Sequence, residues 1–192
     1  IELALVDAQA EFAAYQEGAQ YGITAARVAA ANAITAAHDG PAISAGNIII
    51  QATHSHSAPT LEGLWGPVPT AYLKAVTDAE TKALTEAAAR AQPAVLNFGT
   101  ADASSLDVDV VSQYDGFPGW AGDPLLTVLQ AVSVETGGTI ATYATVPAHP
   151  DIVNGERIRH LTTDYIGLVH AALQRQLGGI ARSEERRGGK EC

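Results

Sequence analysis

The stretch Thr53-His54-Ser55-His56-Ser57 places two imidazoles two residues apart. In extended backbone alternate side chains share a face, so both rings can point at one site. Neutral imidazole is a ready zinc ligand, and catalytic zinc sites use three protein ligands plus an open position. Ser55 and Ser57 then face the other way and can hold the loop by hydrogen bonds. A second candidate ligand is His149, within Ala148-His149-Pro150. Pro150 restricts His149 to extended geometry, and a locked backbone helps a ligand keep its direction. Each pattern also has a plainer reading. The first fits a pair of surface histidines in a polar loop, the second a capped strand end with an incidental histidine. The other three of the six histidines read blandly. His38 lies near a helix end, where its charge suits the dipole. His160 stands among Arg157 and Arg159, and His170 lies inside a helix; both read as solvated or packed.

The elements around these residues would have to deliver them. His54, His56 and His149 each follow a predicted strand, the place where open α/β sheets hold ligands. Leu3–Val6 is a short apolar strand, and residues 8–19 read as loop. Ile23 to His38 is helical, with Ile23, Arg27, Ala30 and Ile34 on one stripe flanked by Val28 and Ala31. Asp39-Gly40-Pro41 stops it. Ile48-Ile49-Ile50 lacks alternation, as expected of a strand buried on both faces. Residues 70–91 form a second helix, with Leu73, Val76, Glu80, Ala83, Leu84 and Ala87 in helical period. Val95–Phe98 is a short strand, and Val108, Val110 and Val111 mark an edge strand. The acidic residues from Asp102 to Asp109 then form a solvated edge that discourages strand pairing. Gly116–Pro124 is a loop of turn formers. Leu126–Val134 and Thr139–Val146 flank Glu135-Thr136-Gly137-Gly138, a hairpin signal. A last helix runs from about Thr163 to Leu177 and is closed by Gly178-Gly179. Helices alternate with strands, yet the hairpin is antiparallel. The expected fold is therefore α/β, with a mixed β-sheet flanked by helices.

Composition narrows the function classes. The chain has 192 residues, 47% hydrophobic and 17% charged, which is a globular balance. Its net charge of −10 leaves no sequence-wide basic footprint for nucleic acid. No run of about 18 apolar residues exists, so no transmembrane segment is expected. Both ends look artificial. The chain starts at Ile1 inside what reads as a strand, and Arg182–Cys192 departs from the Ala-rich style before it. That tail resembles a translated sequencing-adapter read-through, though a natural charged tail has the same composition. It is set aside from the fold expectations, leaving residues 1–181 as the domain and 182–192 as a non-native tail. The only cysteine, Cys192, leaves with it. The remaining segment suits an oxidising or a reducing compartment equally.

The pattern Asn47-Ile-Ile-Ile-Gln-Ala-Thr-His-Ser-His-Ser-Ala-Pro59 resembles the histidine motif of the neutral/alkaline (non-lysosomal) ceramidase family. Three further segments follow in the family's order. Asp123-Pro-Leu-Leu-Thr-Val-Leu129 resembles the strand before its second histidine. Thr145-Val-Pro-Ala-His-Pro150 resembles its His-Pro segment, and Leu161-Thr-Thr-Asp-Tyr-Ile-Gly167 its Ser/Thr-x-Asp-(aromatic)-x-Gly helix start. The resemblance implies a zinc-dependent amidase that hydrolyses the N-acyl bond of ceramide-like lipids. It assigns His54 and His149 as zinc ligands, and His56 as the residue that steadies substrate or transition state. It also implies a secreted or periplasmic location. The chain departs from the family at Ala58, usually Gly, and at Asp151, usually Thr. The family completes its zinc sphere with a Glu and a Tyr far downstream, and its catalytic serine region also lies later. The resemblance therefore implies an incomplete catalytic domain, the front part of one, inactive alone and lacking the C-terminal part of the same chain.

Asp7 and Asp164 are candidates to orient a ligand imidazole through its second nitrogen. Each reads more simply as structure, Asp7 as a strand-end turn and Asp164 as a helix N-terminal charge. The loops carrying Trp65 and Phe117-Pro118-Gly119-Trp120 can rim an acyl chain, or pack as ordinary loops. Two other readings stand beside the amidase. One is a metal-dependent amidohydrolase on a barrel, which needs repeated strand-helix units that this hairpin opposes. The other is a non-catalytic domain with incidental histidines.

Overall fold

Alanine at every third or fourth position lets a helix bury a narrow face. The first helix, α1, spans Ile23–Ala37 and buries Ile23, Ala26, Ala30, Ala31 and Ile34. Those positions form one stripe of the 3.6-residue period. Val28, expected beside the stripe, is exposed. Arg27 turns aside, its Nε donating to the Ala45 carbonyl at 2.9 Å. The computed structural model describes residues 21–37, 42–50, 53, 55–59, 61, 67–105, 125–146, 148, 150 and 160–185. The expected strands at 3–6 and 108–111 lie outside the described residues, as do the loops at 8–19 and 116–124. So do Asp7, His38, His54, Trp65, Trp120 and His149.

The chain forms two compact units, residues 1–52 with 59–91, and residues 53–58 with 92–192. In the first unit, α1 is followed by a single 3-10 turn at Ala45–Asn47 and by the helix α2, Thr70–Ala89. Ile48, Ala30, Ala31 and Ile34 form one core cluster, with Ile50, Leu84 and Ala88 against it. Leu61 and Leu73 form another, with Tyr21, Val68, Tyr72 and Val76. Thr77 is buried on α2, a position the apolar period does not mark. Its hydroxyl donates to the Leu73 carbonyl at 2.9 Å and accepts the Gly22 N–H at 2.8 Å. Ala83 and Ala87, placed on the stripe by period alone, are exposed.

The triple isoleucine departs from expectation. Among the described residues, 48–50 pair in no sheet, and Ile49 is 79% exposed. Ile48 has extended backbone, but its N–H closes the 3-10 turn on Ala45 at 3.2 Å. In extended backbone alternate side chains face opposite ways. Ile48 and Ile50 enter the helical cluster, and Ile49 faces out. Among the described residues the run is thus buried on one face, and the partners there come from α1 and α2.

Among the described residues, the second unit holds a four-stranded sheet in the order β1-β2-β3-β4. β1 spans Ala94–Asp102, β2 Leu125–Ser133, β3 Thr139–Val146 and β4 Ile180–Glu185. β1 and β2 pair antiparallel, as do β2 and β3. The hairpin turn closes where expected, with the Ser133 N–H on the Gly138 carbonyl and the Gly137 N–H on the Ser133 carbonyl, both 2.9 Å. The register slips at Ala131/Val132, so Val132 pairs with Thr139 and Ile140 is the extra residue of a bulge. β3 and β4 pair in parallel. A parallel neighbour requires a crossover of a dozen or more residues, and the helix α3, Asp164–Leu177, lies within it. The fold is therefore α/β with a mixed sheet. β4 also runs into the charged tail set aside on composition, pairing Arg182 with Tyr143 and Ser183 with Ala144.

The register assigns each residue to a face. Thr142, Ala144, Ala181 and Ser183 share one face and are buried. His170 of α3 reaches Ser183 on that face, its Nε2 2.9 Å from Oγ. Ile166 anchors the same helix, fully buried. Leu96, Phe98, Leu129 and Ile180 share the opposite face and are exposed. Among the described residues, α3 is thus the helix of this unit, and it covers one face of the sheet.

Candidate functional site

Residues 53–58 belong to the sheet-containing unit, although the chain on either side belongs to the other. Hydrogen bonds explain how they are held. Ser55 is 7% exposed, and its hydroxyl donates to the Thr162 carbonyl at 2.8 Å. The Thr162 N–H returns to the Ser57 carbonyl at 3.1 Å. The Ser57 N–H also meets the Ser55 hydroxyl, at 3.4 Å. A polar group buried without a partner destabilises a fold by ~1–3 kcal/mol, so these reciprocal bonds make the loop's buried placement tenable. His56 is half-buried, with Nε2 shielded from solvent.

The second histidine segment is tied to the same place. The Ala148 N–H closes a tight turn on the Val146 carbonyl at 2.9 Å, and Pro150 is fully buried. The Ala148 carbonyl accepts a hydrogen bond from the Tyr165 hydroxyl, in the first turn of α3. Thr162 and Tyr165 are three positions apart. The loop that contains His54 and the segment that contains His149 are therefore both fastened to the start of one helix.

That helix start is unusual in itself. Asp164 is 6% exposed and has φ 53°, in the left-handed region. Among the described residues it is the one non-glycine with positive φ. Such a conformation costs ~1–3 kcal/mol and survives where its surroundings over-determine it. Here the Thr162 hydroxyl accepts the Asp164 N–H at 3.1 Å, and Asp164 Oδ1 accepts the Tyr165 N–H at 2.6 Å. Asp and Asn tolerate this region because the short side chain bonds locally.

The structure thus describes His56, while His54 and His149 lie outside the described residues. Among the described residues no group of three or more His, Cys, Asp or Glu side chains could hold a metal ion. The sequence places Thr162 and Tyr165 in the helix-start motif but gives neither of them a role. The available signal was the serine phase in Thr-His-Ser-His-Ser, which marks a buried polar edge needing a partner. No model of a known protein family matches the chain, and no curated protein matches it.

The remaining described histidines have structural settings. His160 is exposed. His170 is half-buried, and burial, aided by the Arg182 guanidinium, holds its pKa below the usual imidazole value. The unfolded chain therefore takes up a proton near pH ~6.5, and the folded chain takes it up only at lower pH. The stability that neutral His170 contributes is present above that pH and is lost as pH falls through the folded pKa. Thermal midpoints measured from about pH 8 to about pH 5 should fall less steeply in His170→Asn than in the parent chain. Parallel curves would show that His170 has no such role.

Proposed function

We propose that the chain carries part of the active centre of a zinc-dependent amidase that hydrolyses the N-acyl bond of ceramide-like lipids. One observation supports the reading above all. The two histidine segments, remote in sequence, are fastened to Thr162 and Tyr165 at one helix start. An incidental pair of surface histidines would need no such double fastening of a buried polar loop. The donor chemistry suits zinc, which takes neutral imidazole nitrogen.

On this reading His54 and His149 would hold the metal, together with further ligands. Bound there, zinc would supply an activated water near neutral pH and would polarise the amide carbonyl. His56 stands one residue beyond Ser55, the loop's buried anchor. Its imidazole donates to the oxyanion that develops on the carbonyl oxygen, where one donor is worth about 10²–10³ in rate. Ser55, Thr162 and Tyr165 hold the two segments at one helix start. A barrel amidohydrolase fits less well, because this sheet carries two antiparallel pairings in succession. No described helix is long and apolar enough to cross a membrane.

The test uses a parent protein in which this chain continues. Hydrolysis of an N-acyl sphingosine should stop on treatment with a chelator and return on adding zinc. Activity that survives thorough chelation would remove the metal from the mechanism. A parent that hydrolyses no lipid amide with zinc restored would leave the non-catalytic reading.

A further inference from the structure

We infer that Tyr165 is a positioning residue, whose hydroxyl holds Ala148, the residue before His149, at the helix start that also holds Ser55. For its consequence at the metal the inference rests on the amidase reading; its geometry does not. The Tyr165 hydroxyl donates to the Ala148 carbonyl, one residue before His149. Ala148 is itself closed onto Val146 in a tight turn. On its far side Pro150 is fully buried and fixes its own φ. Ala148 and Pro150 are thus both held, and of their fastenings Tyr165 is the one that comes from outside the segment. The same helix start receives Ser55 through Thr162. Tyr165 N–H is in turn bonded to Asp164, whose left-handed backbone aims this first turn. Ring and hydroxyl do separate things here. The ring is half-buried, and the hydroxyl bonds the Ala148 carbonyl.

Tyr165→Phe in the full chain separates the two. The Ala148 amide should exchange its hydrogen about tenfold faster, by loss of one local hydrogen bond, while amides within α3 keep their rates. With zinc alone as the probe, affinity measured against a chromophoric chelator should fall about 10–100-fold, the usual effect of losing an outer support of a ligand. A purely structural tyrosine would shift the thermal midpoint and leave zinc affinity alone. Unchanged exchange at Ala148 overturns the inference. So does faster exchange with unchanged zinc affinity. If the parent chain binds no zinc while Ala148 exchange still rises, the anchoring holds and the zinc reading of the site fails. Should Tyr165→Phe not fold, Ser55→Ala tests the same helix start from the other loop. Faster exchange confined to residues 55–57 supports a shared anchor, and unchanged exchange there overturns it.

Discussion

His54→Ala, made in a parent protein that continues this chain, is expected to remove zinc-dependent amide hydrolysis and most of the bound zinc. On the proposed reading it deletes one of two imidazole ligands supplied here. Loss of a mere outer-sphere partner weakens metal binding 10–100-fold, so loss of a ligand should exceed ~100-fold. Zinc content by elemental analysis and turnover of an N-acyl sphingosine check it together. His149→Ala should behave alike. His56→Ala should differ, retaining zinc while turnover falls about 10²–10³-fold, since a donor to the oxyanion acts on the rate rather than on the metal. If His54→Ala keeps both zinc and activity, the ligand assignment is wrong.

Gly179→Ala is expected to destabilise the sheet unit by at least ~3 kcal/mol, through left-handed strain and forced overpacking acting together. Gly179 has φ 65°, and a Cβ there would lie 2.6 Å from the carbonyl oxygens of both Thr139 and Ile140. Those atoms are backbone of β3 and cannot swing away. Gly178 offers an internal comparison. It also has positive φ, at 74°, but a Cβ there would meet nothing within 4 Å. Its N–H caps α3 on the Gln174 carbonyl at 3.0 Å. Gly178→Ala should therefore show the conformational strain alone, ~1–2 kcal/mol. Urea midpoints of the two variants separate the terms. Equal losses would mean that the close approach to β3 has no energetic weight. The expected loss at Gly179 is a large fraction of a typical stability of ~5–15 kcal/mol.

The two glycines also show how far local pattern reaches. Gly178-Gly179 reads as a helix stop from composition, and α3 does end at Leu177. That Gly179 must also clear two carbonyls of β3 could not be read, because the contact joins residues forty positions apart. The same division runs through the sheet. The hairpin is legible from turn residues between β-rich runs, whereas the full length of β1 is not. Val95–Phe98 looks like a complete short strand, yet pairing with β2 carries it on to Asp102. The Ile48–Ile50 run shows the limit most clearly. A β-branched apolar run states that something will cover it, not whether a strand or a helix does so.

At the site, the residue types for metal chemistry and the serine phase were visible in Thr53–Ser57. The partner of Ser55 was not, since Thr162 stands 107 residues away. Nor was the left-handed Asp164, whose conformation depends on bonds to its neighbours rather than on its own preference.

The amino-acid order by itself determined the helices, the hairpin and the chemistry its side chains could perform, because periodicity, turn formation and donor type are local properties. Tertiary structure alone decided that β4 enters the sheet, that the isoleucine run lies on helices, and that two distant loops end on one helix start. Those outcomes depend on which buried polar and apolar groups find partners across the chain, and no short window of residues contains both members of such a pair.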